Sequence, residues 1–228
     1  MGIRTLLSAF VFSALAAAAL HAQSTRGVVR GTVFVRGEAH ALRVPVSQHQ
    51  DVCGESVQNR HVMVEGGRLA NALVVLDYKG QADMPSTPVI LETTGCDFQP
   101  TVQVAPPGAT LILRNGDPIS HRMLLERGGS NLTTVEVAAS GEKKQRGLLD
   151  EPKLLDIRCE AHEWMHAKIW VLNHPYYAWT WSDGSFEIPL IPEGTYTLKV
   201  WHEQFGVLAQ EIIVRADGSV TANFTYAQ

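Results

Sequence analysis

Four side chains in the middle of this 228-residue chain carry its clearest chemistry: His121, Cys159, His162 and Met165. The last three fall in one run, Cys159-Glu160-Ala161-His162-Glu163-Trp164-Met165. A thiolate, two imidazoles and a thioether form a donor set suited to copper that cycles between its two oxidation states. A Cys followed by His three on and Met six on suits a tight loop that turns all three toward one ion. His121 must then arrive from a separate strand. Zinc also takes Cys and His, but a thioether is a poor zinc ligand. The plainer alternative is a buried thiol beside a satisfied imidazole. The Met at the end of the run, and an Asn115 placed six before His121, argue against it.

The start of the chain reads as an export signal that would carry these groups out of the cytoplasm. Arg4 precedes an apolar run of about 15 residues over 6–20, and Leu20-His21-Ala22 offers a cleavage point before Gln23. The run is short of the ~20 apolar residues a membrane span needs. Residues 1–22 therefore read as a signal peptide, with a periplasmic or secreted product and no stable membrane insertion after its removal. Without Arg4 the chain holds 18 basic residues against 23 acidic, which gives no footprint for nucleic acid. Three cysteines are an odd set. Cys159 belongs to the metal-type run, which leaves Cys53 and Cys96 as a candidate disulfide in an oxidising compartment.

Helix signals are scarce. Short β-rich runs recur at 28–35, 73–76, 101–104, 110–114, 154–158, 168–172, 186–188, 196–201, 211–214 and 220–226. Turn residues separate them, among them Pro106-Pro107-Gly108, Asn115-Gly116-Asp117-Pro118, Asp183-Gly184 and Asp217-Gly218. Many short strands without intervening helices predict an all-β protein built of sandwiches. The polar stretch 128–152 reads mostly as loop, with strand character at 133–137.

Residues 89–172 resemble a small cupredoxin of the amicyanin and plastocyanin group. The features run in the family's order: Phe98-Gln99-Pro100, Val104-Ala105-Pro106-Pro107-Gly108, Asn115 through His121, the short ligand loop from Cys159 to Met165, and Ala167-Lys168-Ile169-Trp170-Val171. The resemblance implies one type-1 copper held by His121, Cys159, His162 and a weak axial Met165. It implies His162 as the more exposed imidazole and the electron exit. Arg122 stands where the family has an Asn that ties the two ligand strands; Asn115 and Ser120 are the candidates to replace that bonding. Glu160 and Glu163, with Glu126 nearby, are either solvated charge or an acidic rim that steers a basic redox partner.

The C-terminal run Thr180-Trp181-Ser182-Asp183-Gly184-Ser185-Phe186, continuing through Pro192-Glu193-Gly194-Thr195-Tyr196, resembles half of a carboxypeptidase-regulatory-like (transthyretin-like) sandwich. Gly31-Thr32-Val33 and Ala72-Leu73-Val74-Val75-Leu76 match features of its other half. The expected fold is a Greek-key cupredoxin sandwich, 86–172, inserted into a second small sandwich formed by 27–83 and 173–228. A cupredoxin over 27–172 with a short β-extension is the simpler alternative. His166, His174 and His202 are not counted as ligands, and His40, His49 and His61 carry no motif. Tyr176, Tyr177, Trp179, Trp181 and Trp201 either pack in a core or between domains, or form a sugar-stacking surface.

These features point to an exported one-electron carrier and not an enzyme, because a filled ligand set leaves no position for substrate. A c-type cytochrome or a dehydrogenase is the kind of redox partner protein implied. The alternatives are a copper carrier or storage module, and a non-redox carbohydrate-binding-like sandwich protein.

Overall fold

The computed structural model describes residues 26–37, 43–58 and 62–227. The expected signal peptide at 1–22, His40 and His61 lie outside the described residues. Burial alternates along the strands that matter most. Leu154–Cys159 buries Leu155, Ile157 and Cys159, and His166–Val171 buries Ala167, Ile169 and Val171. This is the pattern of pleated strands with one face on a core.

The protein is all-β, and its strands form two sandwiches with separate apolar cores. In the first, one sheet orders Glu142–Gln145, Leu111–Asn115, Val89–Thr93 and Phe98–Gln99. The facing sheet orders Ser130–Val137, His121–Arg127, Leu154–Cys159, His166–Val171 and Val102–Ala105. Each sheet contains one parallel pair, Leu111 opposite Val89 in one and Lys168 opposite Val102 in the other. The cysteine and both histidines thus lie at one end of the second sheet and the turn that leaves it.

In the second sandwich, Arg26–Arg36 pairs antiparallel with Ser185–Pro192 and parallel with both Ser219–Thr221 and Phe224–Ala227. Leu73–Leu76 lies between Tyr177–Trp179 and Gly194–His202 in the other sheet, which Gly206–Val214 extends. Residues 43–58, grouped with this sandwich in the division above, pack instead on the first core. Val46 and Cys53 are buried there, with Val44, Val52 and Val57 against them. The cause is the Cys53–Cys96 disulfide together with those apolar side chains.

The stretch 128–152 is more ordered than its composition predicts. It forms the strands Ser130–Val137 and Glu142–Gln145. Gly128 and Gly129, at φ 57° and 80°, close a hairpin onto His121–Arg127. At Glu142–Gln145, pairing with a neighbour overrides the weak intrinsic strand preference of a Lys- and Glu-rich sequence.

The sandwiches meet along the strand that leaves the ligand loop. Trp170 meets Trp201 edge-on with centroids 5.4 Å apart. Glu203 accepts from His166 at 3.3 Å and lies 3.8 Å from Lys168. Burial pushes His174 down, and its ring stacks on Tyr176 beside Tyr78. Among the described residues no helix is long and apolar enough to cross a membrane.

Gly31 shows why the first strand of the second sandwich needs its small residue. A methyl there would fall on the Ala222 carbonyl oxygen. Gly31→Ala is therefore expected to cost about 2 kcal/mol through crowding. Thermal unfolding reads it directly, and an unchanged Tm would contradict the close approach of strand 26–36 to residue 222.

Candidate metal centre

The ligand loop is shaped by its own backbone. The Met165 N–H donates to the His162 carbonyl at 2.9 Å, and the Cys159 N–H donates to the Met165 carbonyl at 3.0 Å. These bonds close a tight turn after the strand Leu154–Cys159. That strand's alternation points Cys159 inward, and its register places Cys159 opposite Met123, two residues from His121. His121 begins its own strand at the same end.

The outcome is convergent. Cys159 Sγ lies 3.7 Å from His121 Nδ1 and 3.3 Å from His162 Nδ1. All three side chains are buried. Met165 is fully buried in the same core. A second group, Cys96, Asp117 and His121, also comes together. Cys96 is in a disulfide, so that group offers no thiolate.

Each imidazole has its far nitrogen held from behind. His121 Nε2 is 2.9 Å from Asp117 Oδ2. The same carboxylate accepts the Gly95 N–H at 2.7 Å and the Cys96 N–H at 3.1 Å. His162 Nε2 is 3.0 Å from Nδ1 of His49. Partnering of the far nitrogen fixes ring orientation and tautomer, which is the usual support for a metal-binding histidine.

Asn115 anchors the loop that carries Asp117 and His121. Its amide nitrogen donates to the carbonyls of Ile119, Val137 and Ala138, and its oxygen accepts from the Thr93 hydroxyl and the Asp117 N–H. The tie between the two ligand segments runs through Arg122. Its carbonyl accepts the Glu160 N–H at 2.9 Å, and its guanidinium pairs with Glu160 at 3.2 Å. The proposed acidic rim is thereby reduced: Glu160 is matched by Arg122, and Glu126 by Arg158 at 2.7 Å. Glu163 is exposed.

His162 corrects an expectation. It is 0% exposed, not the open imidazole that the resemblance implies. His49 covers its Nε2 edge, and the Trp164 ring sits 5.0 Å from its own. Trp164 in turn donates its indole N–H to the Cys96 carbonyl at 2.9 Å. No spacing in the sequence marks His49. The available signal was Cys53, four residues on, whose pairing with Cys96 brings the segment to the site. His174 and His202 are buried elsewhere and join no convergent metal-type group among the described residues.

The electrostatics suit a metal that takes neutral imidazoles and a thiolate. Burial, with His121 and His49 adding to it, pushes His162 down to about 4. Burial lowers His121 as well, against the opposing pull of Asp117. Burial raises the Cys159 thiol. A metal-free site at neutral pH thus holds a thiol and two neutral rings, and the positive charge of a bound ion removes the thiol proton. The donor set fits copper.

The aromatic residues of the second sandwich divide. Tyr176 is in its core. Tyr177, Trp179 and Trp201 are half-buried and Trp181 is 70% exposed, along a cleft of about 1250 Å³ that Val102 and Gln103 of the first sandwich also line.

Residues 161–222 match the sequence profile of polysaccharide lyase family 4, domain II. Among curated proteins none matches the chain. A copper-containing nitrite reductase from Thermus scotoductus SA-01 is 21% identical, with 42% of this chain and 24% of that one covered, at a TM-score of 0.34. The chain thus spans about a quarter of that reductase's length. Amicyanin from Paracoccus versutus is 15% identical over 43% of this chain and 97% of its own, at 0.33. A purple cupredoxin from Nitrosopumilus maritimus is 16% identical over 37% and 99%, at 0.32. The likenesses are partial, and the chemistry of the centre rests on its own donor set.

Copper uptake at pH 7 is expected to release one proton, from Cys159, because both rings are already neutral. Affinity then rises about tenfold per pH unit below the thiol pKa. As pH falls through about 4, His162 takes a second proton and the dependence steepens. Calorimetry in buffers of different ionisation heat checks the count, and release of no proton would exclude thiolate ligation. Asp117→Asn leaves His121 without its carboxylate, and copper affinity is expected to fall about 10- to 100-fold in competition titrations.

Proposed function

We propose that this chain is an exported type-1 copper protein that carries single electrons between redox partner proteins. The observation that carries this reading is the convergence of His121 Nδ1 and His162 Nδ1 on the buried Cys159 Sγ. Met165, buried on the same turn, completes the set as the weak axial thioether. Copper so bound supplies a one-electron couple whose thiolate bond reaches into the protein.

The residues around it favour transfer over bond chemistry. Asp117 and His49 hold the two rings in place through a change of oxidation state. Trp164, His49 and the surrounding core close the ligand side chains off from water. The burial that keeps both rings neutral also spares the site a proton transfer when it gains or loses an electron. A small, polar contact with a c-type cytochrome or a dehydrogenase is the form of partnership this implies. The periplasm or extracellular space, where a signal peptide at 1–22 would deliver the chain, is where such partners are found.

The copper-loaded protein is expected to show an intense visible band from charge transfer between thiolate and Cu(II). Cys159→Ser removes the band, while Met165→Ala keeps it and shifts the reduction potential. A protein that binds only colourless Cu(I) would instead be a copper carrier, and one that takes up no copper would contradict the reading outright.

A further inference from the structure

We propose that His49 is the port through which electrons enter and leave this protein, set between the buried ligand His162 and the surface. The inference rests on the copper reading above and adds the route.

The three ligand side chains that converge, and Met165 with them, are closed off from solvent. His121, His162 and Met165 are 0% exposed, and Cys159 is 5% exposed. An electron must therefore cross some further group, and tunnelling weakens steeply with each through-space gap. His121 leads through Nε2 to Asp117, which is itself buried. Cys159 leads into the backbone of a central strand. His162 leads through one hydrogen bond of 3.0 Å to the ring of His49, and His49 is exposed. Of these routes it is the one that reaches water across a single hydrogen bond.

The backbone at His49 points the same way. The residue sits at φ 55°, ψ 41°, in the left-handed region. That conformation costs a residue with a side chain about 1–2 kcal/mol, and glycine or asparagine would take the turn more easily. His49 precedes the short helix Gln50–Cys53 at the N-cap position, yet its side chain makes no capping bond. Its imidazole faces His162 instead. Strain kept where a smaller residue would relieve it is a mark of a functional position.

The segment is also pinned where it is. The Val52 and Cys53 N–H groups donate to the His49 carbonyl at 3.0 and 2.8 Å, and Gln50 Nε2 donates to the Val46 carbonyl at 2.7 Å. Val46 is in the core, and Cys53 is bonded to Cys96. Cys96 also donates its N–H to Asp117 and accepts the Trp164 indole N–H. One residue thus fixes the group behind His121, the ring beside His162 and the lid over it. Ser47, Gln48, Gln50 and Asp51, next to His49 in the chain, are exposed as well. A polar segment with a single carboxylate fits the brief docking of a redox protein that presents its own cofactor edge.

Electron self-exchange between reduced and oxidised copies of the full mature protein tests the route. One electron passes from the Cu(I) copy to the Cu(II) copy, no proton moves, and no bond is made or broken. His49→Leu, which keeps the cover and removes the second imidazole, is expected to slow self-exchange about 10-fold when compared with wild type at full copper loading. His49→Gly, which bares the His162 ring edge and suits the left-handed turn, is expected to restore it. In the wild-type Cu(II) protein the His49 ring protons should carry a contact shift, a sign of spin delocalised across the hydrogen bond that a merely structural residue would lack. In the metal-free protein, ring-nitrogen NMR should show coupling between His162 and His49. Unchanged self-exchange in His49→Leu, or a His49 ring with no contact shift, would overturn the port while the copper reading stands. A wild-type protein with no thiolate band would overturn that reading, and the port with it.

Discussion

The buried carboxylate of Asp117 is the constraint on which the site depends. It accepts from Gly95, Cys96 and His121, and a carboxylate so enclosed is stable only while those bonds are made. Its own position is set by Asn115, which accepts the Asp117 N–H and donates to three carbonyls around the loop. From Asp117 the order spreads in two directions. His121 is aimed at Cys159, and the 95–97 turn is fixed. That turn holds Cys96, which anchors Trp164 and, through its disulfide, the segment with His49. Removing one bond in such a network leaves the others short of a partner, so its members act together.

The second sandwich is more than an appendage to this centre. Its Trp201 and Glu203 meet Trp170, His166 and Lys168, all on the strand that begins directly after Met165. A neighbour that steadies this strand also steadies the exit of the ligand loop. The first strand of the protein reaches the same sandwich by pairing with residues from the C-terminal third, at the close approach that Gly31 permits. The two ends of the described residues therefore meet in one core while the metal-type residues lie in the other.

Much of this was legible in the sequence, because it is local. Cys159, His162 and Met165 sit within one turn, and strand alternation is written at a period of two. His121 was legible from its spacing to Asn115, and the disulfide from the cysteine count. What was not legible depends on contacts distant in sequence. The strand Glu142–Gln145 arises from pairing with Leu111–Asn115, against the preference of its own residues, and Ser130–Val137 extends beyond the 133–137 run through pairing with His121–Arg127. Residues 43–58 join the first core through a cysteine 43 positions from its partner. His49 stands 113 residues from His162, so no spacing could announce it, and the expectation of an exposed His162 failed for the same reason.

The side chains proposed to hold copper are preset, with both rings held from behind. Crystal structures of the metal-free, Cu(I) and Cu(II) forms test this most directly. One metal is expected on Cys159, His121, His162 and Met165. Side chains are expected to agree within about 0.5 Å among the three forms, the tolerance of a preorganised site, with His162 still bonded to His49. A His162 ring that swings away from His49 on loading, or copper bound away from Cys159, would contradict it.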